Sequence, residues 1–343
     1  MIRAWGSDLQ GRVVHLISIA SDDLRANISE SITLKPLERA VLQDLRCKDI
    51  PHSVVPGFPN LQPYLSNPPY LGAIVGRYAN RIAKARIDGA ADHQRLDANQ
   101  NGLHCLHGGS NGSSSRLWAI IDAESDYVTL EDVIPDGHMG FAGTLRVNVR
   151  YQLAQSNLKI DITATSDAAS LCNFTNHSYF NLDGRPQIDQ HRLQVLSKRY
   201  LPVDETGIPS QAPTPVAGSK YDFRNFSALC ENGTFTEIDH NYCLSERRRP
   251  ITTVARLGTD TLDMEMASTE PGVQIYTGIG LSDFSAIGHA GQPYRAFAGI
   301  ALEAQTWPDA PNRPEYPSPW LLPGDVYHHA TVYRFAPRQA RSS

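Results

Sequence analysis

Apolar and polar residues alternate most cleanly from Leu145 to Leu153, where Leu145, Val147, Val149, Tyr151 and Leu153 are separated by Arg146, Asn148, Arg150 and Gln152. Soon afterwards Leu158, Ile160 and Ile162 alternate with Lys159, Asp161 and Thr163. Successive side chains of a strand point to opposite faces, so the two segments, joined by Ala154 to Asn157, predict an antiparallel hairpin with one buried face. Tyr127–Leu130, Gln274–Thr277, Gly299–Gln305 and Thr331–Phe335 read as further strands. Helical periodicity is scarce. Pro36–Leu45, with proline in its first turn, is the best candidate and spans only a turn or two. The proline-rich stretch Pro51–Tyr70 also carries Phe58, Leu61, Tyr64 and Leu65, which predicts an ordered loop lying over the core. Short strands punctuated by 25 Gly and 23 Pro predict an all-β fold, a large antiparallel β-sandwich with few short helices.

The segment Phe174–Leu182 reads as a strand with an ionisable residue in its middle. Alternation puts Thr175, His177 and Tyr179 on one face, and Phe174, Asn176 and Phe180 on the other. Histidine titrates near working pH, at about 6.5 unperturbed, so His177 beside a tyrosine and two asparagines suits proton transfer at a polyhydroxylated ligand. A hydrogen-bonded structural histidine is the plain alternative.

Composition narrows the partners. A composition of 343 residues, 41% hydrophobic and 20% charged, suits a soluble globular protein rather than a disordered one. No composition shift marks a boundary, so a single domain over 1–343 is expected, with 337–343 a frayed tail. A net charge of −5 and a pI near 6.2 speak against nucleic acid or an anionic membrane. The cysteines, at 47, 105, 172, 230 and 243, contain no C-x-x-C pair and are too scattered for a disulfide framework. The N-terminus lacks the pattern of a secretion signal and no long apolar run spans a membrane, so a reduced, cytoplasmic setting is expected.

Four further stretches place polar residues where a plain core would not. In Gly76-Arg-Tyr-Ala-Asn-Arg-Ile82, Arg81 suits a forked hydrogen bond to sugar hydroxyls or a carboxylate, the alternative being an arginine that satisfies loop carbonyls. In Asn101–Gly109, His104 and His107 sit three apart, but in a glycine-rich turn that spacing has no metal-ligand meaning and no H-E-x-x-H helix is present. Asp239, at a strand start in Glu237–Leu244, suits vicinal hydroxyls or a loop cap. Glu303, in the apolar strand Gly299–Gln305, shares a face with Ala301 and Gln305. A carboxylate there is costly unless paired or functional, and partial burial raises its pKa toward that of a useful base. Gly108-Gly-Ser-Asn-Gly112 matches G-x-S-x-G, yet Ser113–Trp118 does not suit the helix that a nucleophile elbow needs. A serine hydrolase using Ser110 is the competing enzyme reading.

These stretches, in this order, resemble the aldose 1-epimerase (galactose mutarotase) family. The likeness runs from Tyr70-Leu-Gly-Ala through Gly76–Ile82, Leu106–Gly109, Pro135–Gly143 and Thr175–Leu182. It continues through Tyr200–Glu205, Asp239–Tyr242, Pro271–Gly278, Leu302–Asn312 and Leu322–Tyr327. The first seventy residues match only loosely, around Ile32–Asp44, and Ala304 stands where threonine is common. The resemblance implies a galactose mutarotase-like supersandwich with an open cleft and no cofactor or metal. It implies a free sugar as partner, galactose, glucose or a related aldose, in a monomer or homodimer. By likeness Glu303 is the general base and His177 the acid, while Asn80, Arg81, His107, Asp239 and Gln274 hold the sugar. Tyr179 or Trp307 is available to cover its apolar face. A non-catalytic sugar-binding module on the same fold is the alternative from another class.

Overall fold

The computed structural model describes residues 1–7, 11, 13–31, 40–65, 70–88 and 94–338. Among these, the expected hairpin forms as read: Leu145–Ala154 pairs with Asn157–Ser166 from Leu145↔Ser166 to Ala154↔Asn157. Its alternation is mirrored in burial, because Val147, Val149, Tyr151, Leu158, Ile160 and Ile162 all face the core. Around it lies a nine-stranded antiparallel sheet in the order Ala119–Ala123, Tyr127–Ile134, Leu145–Ala154, Asn157–Ser166, Tyr327–Pro337, Leu262–Ser268, Thr252–Gly258, Arg192–Val195 and Ser227–Ala228.

A six-stranded sheet runs Tyr179–Phe180, Ile300–Gln305, Gly272–Tyr276, Asp239–Cys243, Arg199–Tyr200 and Thr214–Pro215. One core joins the two. Val273, Ile275, Ile300, Leu302 and Ala304 from the smaller sheet share a cluster with Val147, Ile162, Met266 and Tyr333 from the larger. Phe180 and Tyr333 meet at 4.9 Å between ring centroids. This is the β-sandwich the alternation predicts. Ile300–Gln305 is buried at every position, so its face opposite the core is enclosed as well, and that face carries Ala301, Glu303 and Gln305.

A four-stranded sheet, Ile2–Ser7, Val13–Ala20, Leu24–Ser31 and Val41–Cys47, precedes the sandwich. It corrects the helix expected over Pro36–Leu45. Residues 36–39 lie outside the described residues, and from Val41 onward the chain is a strand paired with Leu24–Ser31. Ladder pairing and burial on both faces override a helix only a turn or two long. Of the tail expected at 337–343, residues 339–343 lie outside the described residues, and Pro337 ends a strand. Of the loop Pro51–Tyr70, residues 66–69 lie outside the described residues; Phe58, Leu61 and Tyr64 are buried as expected. No helix among the described residues is long and apolar enough to cross a membrane.

The strand expected over Phe174–Leu182 is in fact two. Thr175–Asn176 pairs with Ile74–Val75, and Tyr179–Phe180 pairs with Ile300 and Ala301. His177 sits at the break, its N–H donating to the Ala73 carbonyl at 2.8 Å and its own carbonyl accepting from Gly72 at 3.0 Å.

Candidate active site

The enclosed face of the six-stranded sheet is built by register. Directly cross-strand residues share a face, and here Glu303 pairs with Gln274, which pairs with Asn241. The next row on that face is Tyr179, Ala301, Tyr276 and Asp239. Three residues read from the sequence, Glu303, Gln274 and Asp239, thus occupy neighbouring positions on one surface. The Gln274 amide donates to Asp239 Oδ1 at 2.6 Å.

The break at His177 brings its imidazole onto the same surface, with Nε2 3.6 Å from Glu303 Oε1. Both groups are buried, at 5% and 2% exposure. Burial penalises the charged form of each. It pushes the Glu303 carboxyl well above its ordinary value, with the negative charge of Asp239 adding and Arg81 opposing. It pulls the His177 imidazole down to about 4.

His107 is delivered by a different loop. It has a positive φ of 51°, and Gly108 follows at φ 84°. A Cβ on Gly108 would lie 2.0 Å from the Gly76 carbonyl oxygen, so only glycine lets this turn close against the Gly76–Ile82 loop. Asn80 and His107 clamp each other: the His107 N–H donates to the Asn80 carbonyl, and the Asn80 N–H donates to His107 Nδ1 at 3.1 Å. Arg81 reaches across to Asp239 at 3.7 Å and donates to Gln100 Oε1 at 3.0 Å. The structure therefore brings together all seven residues read as site candidates. The other arginine of that loop, Arg77, is the structural one: buried, it donates to the carbonyls of Ala142, Gly143 and Ile134.

His107, His177 and Glu303 also form the one grouping among the described residues whose ligand atoms, within 4.8 Å of one another, are close enough to hold a metal ion. The tautomer argues against it. A backbone N–H can only donate, so His107 Nδ1 is an acceptor and neutral His107 carries its proton on Nε2. A metal-bound histidine instead donates its second N–H to a neighbour. Burial, His177 and Arg81 all lower the His107 pKa, so the ring stays neutral and offers its Nε2–H as a donor. That suits a sugar oxygen better than a cation. His104 is elsewhere, with Nδ1 accepting from Lys84 at 3.0 Å and Nε2 against Thr206 at 3.0 Å.

Two sequence readings are corrected here. Trp307 does not cover the cleft: its indole N–H donates to Pro271 at 2.9 Å and it packs against Tyr316 within a separate apolar cluster. Ser110 is exposed in a turn, its N–H donating to Asp97 and its hydroxyl 3.9 Å from the Met139 sulfur, with no imidazole partner among the described residues. The residues that sequence reasoning missed are aromatic. Tyr70 lies over His107 at 4.5 Å and His177 at 5.8 Å between centroids, and half-buried Tyr276 stands beside Tyr179 at 6.0 Å. Tyr70 heads the Tyr70-Leu-Gly-Ala stretch, which is the only signal that pointed to it.

Comparison with known proteins identifies the family. The family model for aldose 1-epimerase matches residues 40–334. Galactose mutarotase of Rattus norvegicus is 37% identical over 335 residues, covering 95% of each chain. Aldose 1-epimerase of Escherichia coli K12 is 36% identical over 285 residues, covering 79% of this chain and 82% of that one. The crystal structure of an aldose epimerase homologue from C. elegans superposes with a TM-score of 0.85 at 26% identity, over 94% of this chain and 99% of that one. Matched by the family model over residues 40–334 and by relatives over nearly its whole length, the chain belongs to the aldose 1-epimerase family.

Proposed function

We propose that this chain is an isomerase that interconverts the α and β anomers of a free aldohexose such as galactose or glucose. The observation that carries the reading is the buried Glu303–His177 contact at 3.6 Å, because ring opening needs a proton taken from one oxygen and given to another. In this mechanism Glu303 takes the proton of the C1 hydroxyl and His177 gives one to the ring oxygen as the C1–O bond breaks. Rotation about C1–C2 and reclosure, with the roles reversed, deliver the other anomer and restore the pair. His107 Nε2–H, Arg81, Asp239 and Gln274 hold the hydroxyls, Asn80 holds His107, and Tyr70 and Tyr276 supply aromatic faces for the C–H surface. Four of the five cysteines are buried and all are free, which supports a reduced, cytoplasmic setting.

Polarimetry on freshly dissolved α-D-galactose and α-D-glucose, with and without protein, tests the reading. Enzyme-dependent acceleration above the buffer drift is expected with at least one. Binding without acceleration would make the chain a sugar-binding module instead.

The pair also predicts a pH profile. A protonated Glu303 beside neutral His177, and ionised Glu303 beside imidazolium, carry the same single proton, so pH acts by adding a second or removing the first. His177, lowered by burial, places the acid limb of kcat/KM near pH 4. Glu303, raised by burial, places the loss of the shared proton above the ordinary carboxylate range. An acid limb near 6.5, where an exposed imidazole titrates, would contradict the assignment.

A further inference from the structure

A cavity of about 330 Å³ opens between three loops, at Arg46–Pro56, Asn181–Pro186 and His289–Ala298. None of the seven cleft residues lines it. Its chemistry is one-sided. Arg46, Arg185, Arg295, His52 and His289 contribute to its wall and, among the described residues, no aspartate or glutamate does, in a protein whose net charge is −5. Two of the arginines are held in place by carboxylates outside the cavity, Arg46 by Asp44 at 2.9 Å and Arg185 by Asp189 at 3.0 Å, and Arg46 also donates to the carbonyl of Pro51 in the wall. Arg295 has no ion-pair partner among the described residues. The rings of His52 and His289 are fixed by the carbonyls of Leu182 at 3.2 Å and Gln43 at 2.8 Å.

The opposite character comes from Pro51, Pro56, Pro186 and Pro293, which give the cavity a rigid apolar wall. The loop floor is tied down as well. Asn181 donates to the carbonyls of Arg185 and Ala298, both at 2.8 Å, and accepts from Gly184. A guanidinium cluster matches the paired oxygens of phosphate or carboxylate. The volume lies at the lower end of small-molecule sites, far more than one oxyanion needs.

We propose that this cavity binds a small metabolite carrying an oxyanion group, its phosphate or carboxylate on the arginines and its neutral body on the proline wall.

Calorimetric titration of the full chain with glycerol 3-phosphate, citrate and inorganic phosphate tests it, since none of these has a sugar ring to enter the cleft. Saturable binding of at least one organic anion is expected, about tenfold tighter than inorganic phosphate. The tighter of the two organic probes identifies the oxyanion. Arg185→Ala/Arg295→Ala is expected to weaken that binding by about tenfold or more, because each loses a charge-assisted hydrogen bond. Both residues are exposed, so folding and mutarotation should be untouched. Glu303→Gln should bind the anion as the parent does. The proposal is overturned by no saturable binding of either organic probe, by inorganic phosphate binding equally well, by affinity that survives the double substitution, or by affinity lost in Glu303→Gln.

Discussion

Glu303→Gln is expected to lower kcat for mutarotation by about 10²–10⁴-fold while leaving sugar binding intact. The amide has the carboxyl's shape and can still hydrogen-bond a hydroxyl, but it cannot take the C1 proton. The substitution should not harm the fold. Glu303 is 2% exposed and its Oε2 has no hydrogen-bond partner among the described residues, so a buried ionisable group is being carried at a cost to stability. Exchanging it for a neutral isostere is expected to hold or raise the thermal midpoint as activity falls, the signature of a group retained for chemistry. Polarimetric kcat, calorimetric galactose binding and a melting curve read the three quantities. A folded variant with parental turnover would remove Glu303 from the role of base.

A loss of the same order is expected for His177→Gln, through a different partner. Glutamine keeps a donor beside Glu303 but has no pKa in the working range, so the ring oxygen loses its proton source. The acid limb near pH 4 should go with it, which a purely structural histidine would not explain. Some loss of order is built in, since the imidazole packs against Tyr70, His107 and Tyr179. The double variant separates the two effects. If one proton is shared by the pair, Glu303→Gln/His177→Gln should be little worse than either single change, as expected for groups that act as a unit. Multiplying losses would mean independent action and would defeat the shared-proton mechanism.

Where one face of a strand is wet and the other buried, the chain announces itself, and the Leu145–Ser166 hairpin was legible down to its turn. Val41–Cys47 was not, because burial on both sides erases the period of two. The same erasure hides Ile300–Gln305, yet there a lone carboxylate in an apolar run marked the strand and the site together. His177 was recognised as a residue but not as a break between two sheets, since that depends on Ile74–Val75 and Ile300–Gln305, each about a hundred residues or more away along the chain. Trp307 and Tyr70 exchanged roles for a like reason. An aromatic residue carries no local sign of which cluster it will join, and Tyr70 stands against the imidazoles of His107 and His177, which come from distant parts of the chain.

The strand Tyr327–Pro337 has a consequence for how the molecule is made. It lies in the middle of the nine-stranded sheet, between Asn157–Ser166 and Leu262–Ser268, yet follows both in the chain. During synthesis those two strands emerge with unpaired backbone edges that stay open until Tyr327–Pro337 has followed them. A nascent chain in that condition invites pairing with its neighbours on the polysome. The burden of solubility then falls on the ribosome-bound intermediate, and expression yield should respond to chaperone supply more sharply than the finished protein's stability would suggest.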